Sequence, residues 1–166
     1  NLSHQIQPKT VKEHKSIGIA PFAAFSSKMY PLEKMKIIAK KLADVGYKIY
    51  LFGGGKHEAE ELKTWENLHP NIKSLAGTMS FEQELKNIAK LETMVSMDSA
   101  NMHLASLMGT RTISIWGGTH PFAGFLGYGQ SVEDVIQDDT LKIRPTSIFG
   151  KGSKGFENYD YFENLS

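Results

Sequence analysis

The sequence predicts an α/β domain built on a parallel sheet with helices on both faces. Two observations carry this. Short apolar runs containing β-branched residues alternate four times with segments of helical periodicity, and the connections between them are too short for anything but neighbouring elements. A third observation agrees: the glycine-rich and polar clusters follow the strand-like runs, where such sheets collect their ligands.

The elements follow in order. Ser16 to Pro21 reads as a buried strand that stops at the proline. In Leu32 to Val45, Met35, Ile38, Leu42 and Val45 share one helical face, and Gly46 closes the helix. Tyr47 to Phe52 is a second strand, followed by Gly53, Gly54 and Gly55. His57 to Leu68 is helical with Ala59, Leu62 and Trp65 on one side, and Ile72 to Leu75 is a short strand. Phe81 to Leu91 is a helix with Phe81, Leu85 and Ile88 inward, and Thr93 to Met97 a strand. A helix from Ser99 to Met108, closed by Gly109, leads to a strand over Thr112 to Trp116. Beyond Gly117 the pattern weakens, and Val132 to Ile136 is expected to add an edge strand. The domain is therefore placed at 16–140, with 1–15 a polar leader or interdomain linker and 141–166 a C-terminal tail. The polar start at Asn1 gives the chain the look of a piece of something longer.

Composition narrows the function classes. With 166 residues and 40% hydrophobic content, the chain can bury a core and is no disordered segment. Nothing approaches the roughly 20 apolar residues of a membrane-spanning helix, and the first fifteen residues hold no apolar signal core, so a soluble protein is expected. The absence of cysteine removes disulfides, thiolate zinc sites and cysteine nucleophiles. Net charge is +1, but residues 1–50 carry nine basic and three acidic residues. Much of that excess, Lys34, Lys36, Lys40, Lys41 and Lys48, falls in or beside one helix and reads as a solvated face. A nucleic-acid footprint would need more charge with aromatics interleaved, so no nucleic-acid partner is expected.

The chemistry is expected at the rim formed by four loops: Pro21 to Lys28, Gly53 to Glu58, Asp98 to His103, and Gly117 to Pro121. The most informative is Asp98-Ser99-Ala100-Asn101-Met102-His103. A helix beginning straight after a strand presents unpaired N–H groups and the positive end of its dipole, which suits a phosphate. His103 lies about one turn in. Two readings are open here: an anion site, supported by Lys28 and Thr119 nearby, or a plain junction in which Asp98 or Ser99 caps the helix and His103 is satisfied within it. The triple glycine is either a turn needing positive φ or a place of close approach to a ligand. There is no phosphate-binding G-x-x-x-x-G-K-[ST] loop, no H-x-x-x-H pair and no G-x-S-x-G elbow. P-loop enzymes, a bound metal and a serine hydrolase are accordingly not expected.

Several segments together resemble the glycosyltransferase family that contains the ADP-heptose:lipopolysaccharide heptosyltransferases. They are S-S-K-M-Y-P at 26–31, the G-G turn at 54–55 with its following glutamate, A-G-T-M-S-F-E at 76–82, D-S-A-N-M-H-L-A at 98–105 and G-G-T-H-P at 117–121. The resemblance implies a Rossmann-like domain similar to the C-terminal, donor-binding half of a GT-B glycosyltransferase. It implies that Lys28 pairs with the diphosphate of a nucleotide sugar, ADP-sugar favoured, that Glu58 binds the ribose hydroxyls and that Met79 lies against the adenine. Ser99, Ala100 and His103 would hold the phosphates, Asp98 would face the transferred sugar, and Thr119 belongs to the same donor site. Metal-independent, inverting transfer of a sugar, heptose foremost, to a lipopolysaccharide-type glycolipid acceptor is implied. No cofactor is implied, and the general base belongs to an N-terminal domain. The expected location is cytoplasmic or peripheral at the inner face of the cell membrane. Ala100, Asn101 and Tyr30 depart from the family pattern, where glycine, proline and tryptophan are usual. The alternatives are a non-catalytic nucleotide- or anion-binding module and another GT-B relative such as a nucleotide-sugar epimerase.

Overall fold

The computed structural model describes residues 10–151, 155–156 and 159–165. Six parallel strands, β1 (Ser16–Ala20), β2 (Lys48–Leu51), β3 (Ile72–Ser74), β4 (Thr93–Met97), β5 (Arg111–Trp116) and β6 (Val135–Gln137), stand in the order β3-β2-β1-β4-β5-β6. The chain thus builds outward from β1 to β3, then returns to pair β4 against the other side of β1, with Ile19 beside Val95. The point of reversal lies between β1 and β4, and the crevice above it is where such folds receive ligands.

Helices α1 (Leu32–Asp44) and α2 (Gly55–Trp65) cover one face, α3 (Phe81–Lys90) and α4 (Ala100–Leu107) the other. The division is visible in two separate buried clusters. One joins Ile17, Ile19 and Leu51 to Met35, Ala39, Leu62 and Trp65, and the other joins Ala20, Phe52 and Met94 to Ile88 and Ala105. Strand β1 is buried along its whole length, as expected for a central strand covered on both sides. Gly18 is the small residue that lets Leu91 and Met94 close over it, since a Cβ there would sit 2.6 Å from Leu91 Cδ1. Among the described residues no helix is long and apolar enough to cross a membrane.

The observed elements correct the expected ones in four places. Val45 was expected inward but is 65% exposed, because α1 ends at Asp44 and Val45, with ψ near 13°, no longer follows the helical period. The buried positions are Met35, Ala39 and Ala43, with Ile38 and Leu42 half-buried. Phe81, also expected inward, is 61% exposed. It is the first residue of α3, where a capping box between Ser80 and Gln83 fixes the helix start. Helix α2 begins at Gly55, two residues before His57. The last strand occupies Val135–Gln137, since Val132–Asp134 forms a 3₁₀ turn capped by Ser131 and leaves Val132 exposed.

The flanking segments pack on the domain. Lys12 donates to the Ala89 and Gly109 carbonyls and to Thr110 Oγ1, capping the ends of α3 and α4. Glu13 accepts from Lys48 and from the Tyr50 hydroxyl. In the C-terminal segment, Tyr161 and Phe162 are buried in the first cluster, with Phe162 edge-on to Tyr30. The basic face of α1 is largely matched by acceptors: Lys36 by Glu33 and Glu61, Lys40 by Asp44, and Lys34 by the Phe162 and Leu165 carbonyls. Three of the four α1 lysines are thus held by local acceptors.

Candidate functional site

A cleft of about 530 Å³ opens over the reversal point of the sheet. The loop after β1 contributes Phe22 and Lys28, the loop after β2 contributes Gly53, Gly54 and Glu58, and the β4–α4 junction contributes Asp98 to Asn101, His103 and Leu104. This volume lies within the usual range for small-molecule sites.

Its polar centre is a buried ion pair. Lys28 closes a single 3₁₀ turn, Ser26–Lys28, which brings its ammonium 2.9 Å from Asp98 Oδ2. The two side chains are 13% and 6% exposed. The Thr119 hydroxyl, fully buried, donates to the same oxygen at 2.9 Å. Asp98 therefore does not cap α4: its carboxylate is spent on a lysine and a threonine from two other loops. Ser99 occupies the cap position, but its side chain accepts no cap hydrogen bond and lies 3.1 Å from Ser96 Oγ instead. The first N–H groups of α4 consequently face the cleft without a side-chain acceptor, beside Ala100, which is exposed at the first helical position. His103 lines the same wall half-buried, and its ring makes no hydrogen bond within the described residues. The reading in which His103 is satisfied inside its helix and Asp98 is a cap is thus replaced by one in which both groups belong to the cleft.

The glycine loop behaves differently at each position. Only Gly55 has positive φ, at 70°. Gly53 is constrained by contact, since a Cβ there would lie 2.9 Å from Leu62 Cδ1 and 3.1 Å from Glu58 Oε2. The Gly54 N–H donates to Glu58 Oε2 at 2.7 Å, and no atom lies within 4 Å of where its Cβ would be. The loop therefore orients Glu58 with one carboxylate oxygen and leaves open space at Gly54.

Of the eight expected site residues, the structure brings Lys28, Glu58, Asp98, Ser99, Ala100 and His103 together around the cleft. Thr119 sits directly behind them, acting through Asp98. Met79 is not brought in: it lies half-buried just before α3, with the Asn87 amide 3.3 Å from its sulfur. Sequence reasoning missed Glu84, Phe125, Ile148 and Phe149, which also line the cleft. Glu84 falls in the first turn of α3, where an acidic residue is expected on dipole grounds alone. Burial holds its carboxyl above the usual carboxylate range. Among the described residues, no group of three or more His, Asp or Glu side chains is placed to hold a metal.

The centre can do two things. An ammonium has three donors, so Lys28 can keep one on Asp98 and direct the others at an anion seated on the α4 N-terminus. Its charge is balanced by Asp98, however, and Glu58 and Glu84 add negative charge to the lining. Attraction for an anion must come chiefly from directed N–H donors and not from net charge.

The family model described as Glycosyltransferase family 9 (heptosyltransferase) matches residues 2–142. Lipopolysaccharide heptosyltransferase 2 of Escherichia coli K12 is 32% identical over 114 residues, covering 66% of this chain and 33% of that protein. Lipooligosaccharide heptosyltransferase 2 of Haemophilus influenzae is 28% identical over 144 residues, covering 83% of this chain and 42% of its own length. The solved E. coli ADP-heptose lps heptosyltransferase II superposes with a TM-score of 0.65 at 25% identity, over 82% of this chain and 40% of that one. E. coli heptosyltransferase WaaC with ADP-2-deoxy-2-fluoro heptose shares the fold, with a TM-score of 0.66 at 22% identity, over 87% and 42%. The chain thus spans between a third and just over two fifths of the length of these relatives.

Proposed function

The chain belongs to glycosyltransferase family 9, and from that premise we propose that it is the donor-binding part of an enzyme that transfers a sugar, heptose first, from an ADP-sugar to a lipopolysaccharide-type acceptor. The carrying observation is the Lys28–Asp98–Thr119 centre set against the uncapped N-terminus of α4. A relative with which the chain shares its fold is named as an ADP-heptose lps heptosyltransferase, which supports the choice of nucleotide and sugar.

In the proposed mechanism the bond between the sugar's anomeric carbon and the diphosphate breaks, and negative charge grows on the departing phosphate oxygens. Lys28, the N–H groups of Ser99 and Ala100, and His103 meet that charge with preorganised donors in a partly dehydrated cleft, where such interactions are strongest. This is leaving-group stabilisation without a metal. Asp98, held by Thr119, faces the sugar and keeps the lysine from turning away. Glu58, with Oε2 fixed on the Gly54 N–H, presents its other oxygen to the ribose hydroxyls. The base comes to rest toward the loop that contains Met79. The acceptor and the general base that takes the acceptor's proton belong to another part of the full protein, an N-terminal domain. Transfer then proceeds with inversion on the cytoplasmic side, at the inner face of the membrane that carries the glycolipid.

Calorimetry of the chain at low salt with ADP, GDP and UDP tests the reading. ADP is expected to bind best, in the micromolar range. Binding of all three no tighter than about millimolar would remove the donor-site assignment, and preference for UDP would remove the heptosyl assignment.

A further inference from the structure

The C-terminal segment lies beyond the family match, which ends at residue 142, yet it touches the cation at the centre of the cleft. Gly150 is buried with φ +81°, and a Cβ built on it would overlap Lys28 Cδ and lie 2.7 Å from Lys28 Cγ and 3.4 Å from Thr119 Cγ2. The Gly150 backbone therefore rests directly on the lysine stem. Hydrogen bonds from the neighbouring loops and within the segment hold it there. Ser27, the neighbour of Lys28, donates its hydroxyl to the Gly150 carbonyl at 2.7 Å, and the Gly150 N–H donates to Ser147 Oγ at 3.0 Å. Arg144 donates to the Gly117 carbonyl and, at 2.8 Å, to the Thr119 carbonyl. The Thr146 N–H donates to the Gly118 carbonyl at 3.0 Å, while the Gly118 N–H donates to the Ser27 carbonyl at 2.7 Å. The segment thus ties together the loop carrying Lys28 and the loop carrying Thr119, the two partners of Asp98.

We propose that residues 144–150 form a strap that positions Lys28 for the donor diphosphate, with Gly150 as the positioning residue. The role of Lys28 in this inference rests on the proposed function. A free lysine stem with four rotatable bonds would lose its conformational freedom on meeting an anion. The strap removes that freedom beforehand, pressing the stem from one side while Asp98 fixes the ammonium at its end, so less is lost on binding. Only glycine serves at this point, because any side chain would displace the stem and the positive φ disfavours one in any case.

The test uses the full chain, wild type against Gly150→Ala, with two readouts. In the first, a limiting N-hydroxysuccinimide acetate acylates exposed amines, and the rate at Lys28 is followed by peptide mass spectrometry. Wild-type Lys28 is expected to react slowly, and the variant about tenfold faster, the change that follows when a pairing worth one decade in population is lost. In the second, affinities for ADP and adenosine are compared. Gly150→Ala is expected to lower ADP affinity about tenfold and leave adenosine unchanged, because only ADP carries the phosphates that Lys28 meets. Equal weakening of both ligands, or an unchanged Lys28 acylation rate, would overturn the strap. Ser27→Ala, which removes one tether and adds no bulk, serves where Gly150→Ala does not fold, and the same directions are expected at smaller size. If the wild type fails to bind ADP, the proposed function falls and the acylation rates still decide the strap. If ADP binds and Lys28→Ala weakens it while both strap variants match wild type, the strap alone falls.

Discussion

Replacing Asp98 by asparagine perturbs the centre of the site with almost no change of shape. Asp98 Oδ2 accepts from Lys28 Nζ and from Thr119 Oγ1, both at 2.9 Å, and the side chains of Asp98 and Lys28 are 6% and 13% exposed. Asparagine keeps an acceptor for the Thr119 hydroxyl, so the neutral hydrogen bond survives. The same oxygen can still accept from Lys28, so what is lost is the negative charge that makes this an ion pair, and a nearly buried ammonium is left without a counter-charge. Lys28 can recover little by turning to water, because Gly150 lies against its stem. The exposure that remains softens the full penalty for a lone buried charge, so we expect Asp98→Asn to cost about 2 to 3 kcal/mol. Urea unfolding at pH 7 measures it: with a slope of about 2 kcal/mol/M, the midpoint should fall by roughly 1 to 1.5 M. Lys28→Met combined with Asp98→Asn removes the stranded charge and should recover about 1 kcal/mol or more relative to the sum of the single changes. A midpoint within about 0.2 M of wild type, or strict additivity in the double variant, would show that the Lys28–Asp98 pair does not stabilise the fold.

Three further outcomes follow from the same geometry. Burial raises the Glu84 carboxyl's pKa, so the folded protein keeps this proton to higher pH than the unfolded chain does. Stability contributed by the neutral form is present at low pH and is lost as pH rises through the raised value. A bound diphosphate favours the protonated carboxyl further, so wild-type ADP affinity should fall across that window while Glu84→Gln stays flatter, and titrating both proteins cancels the titration of ADP itself. His103→Ala should weaken ADP binding by about 1 to 3 kcal/mol, read by calorimetry, with little effect on stability because its ring has no hydrogen-bond partner to lose among the described residues. Lys12→Met, which leaves the Ala89 and Gly109 carbonyls at two helix ends without their ammonium, should lower stability by about 1 to 2 kcal/mol in the same urea assay.

How far the sequence could be read depended on whether a local signal existed. The β1, β2 and β4 strands and helices α1 and α3 were legible because hydrophobic period and glycine stops act within a few residues. The strand–helix junction at Asp98 was legible as a place, but the role of Asp98 was not. Whether its carboxylate turns to its own helix or to Lys28 is decided by a lysine 70 positions away and a threonine from a third loop. Val45 and Phe81 misled because both stand at helix ends, where the period no longer fixes direction. Glu84 carries no local mark, and the Arg144 to Gly150 segment resembles the tail of a subgroup of the family without any sign that Phe149 or Gly150 reaches the cleft. Glu84 looks like any acidic residue in a first turn, and Gly150 acquires its meaning only when the chain returns to lie on a lysine 122 residues earlier.

Whether a nucleotide diphosphate sits on the N-terminus of α4 beside Lys28 is decided by a crystal structure of the chain with ADP. The diphosphate is expected in the 530 Å³ cleft, its oxygens within hydrogen-bond distance of Lys28 Nζ, His103 and the Ala100 N–H, with the ribose against Glu58. ADP found instead in the open groove between α2 and the loop at Ala76 to Thr78, with the Lys28–Asp98 pair untouched, would contradict this placement.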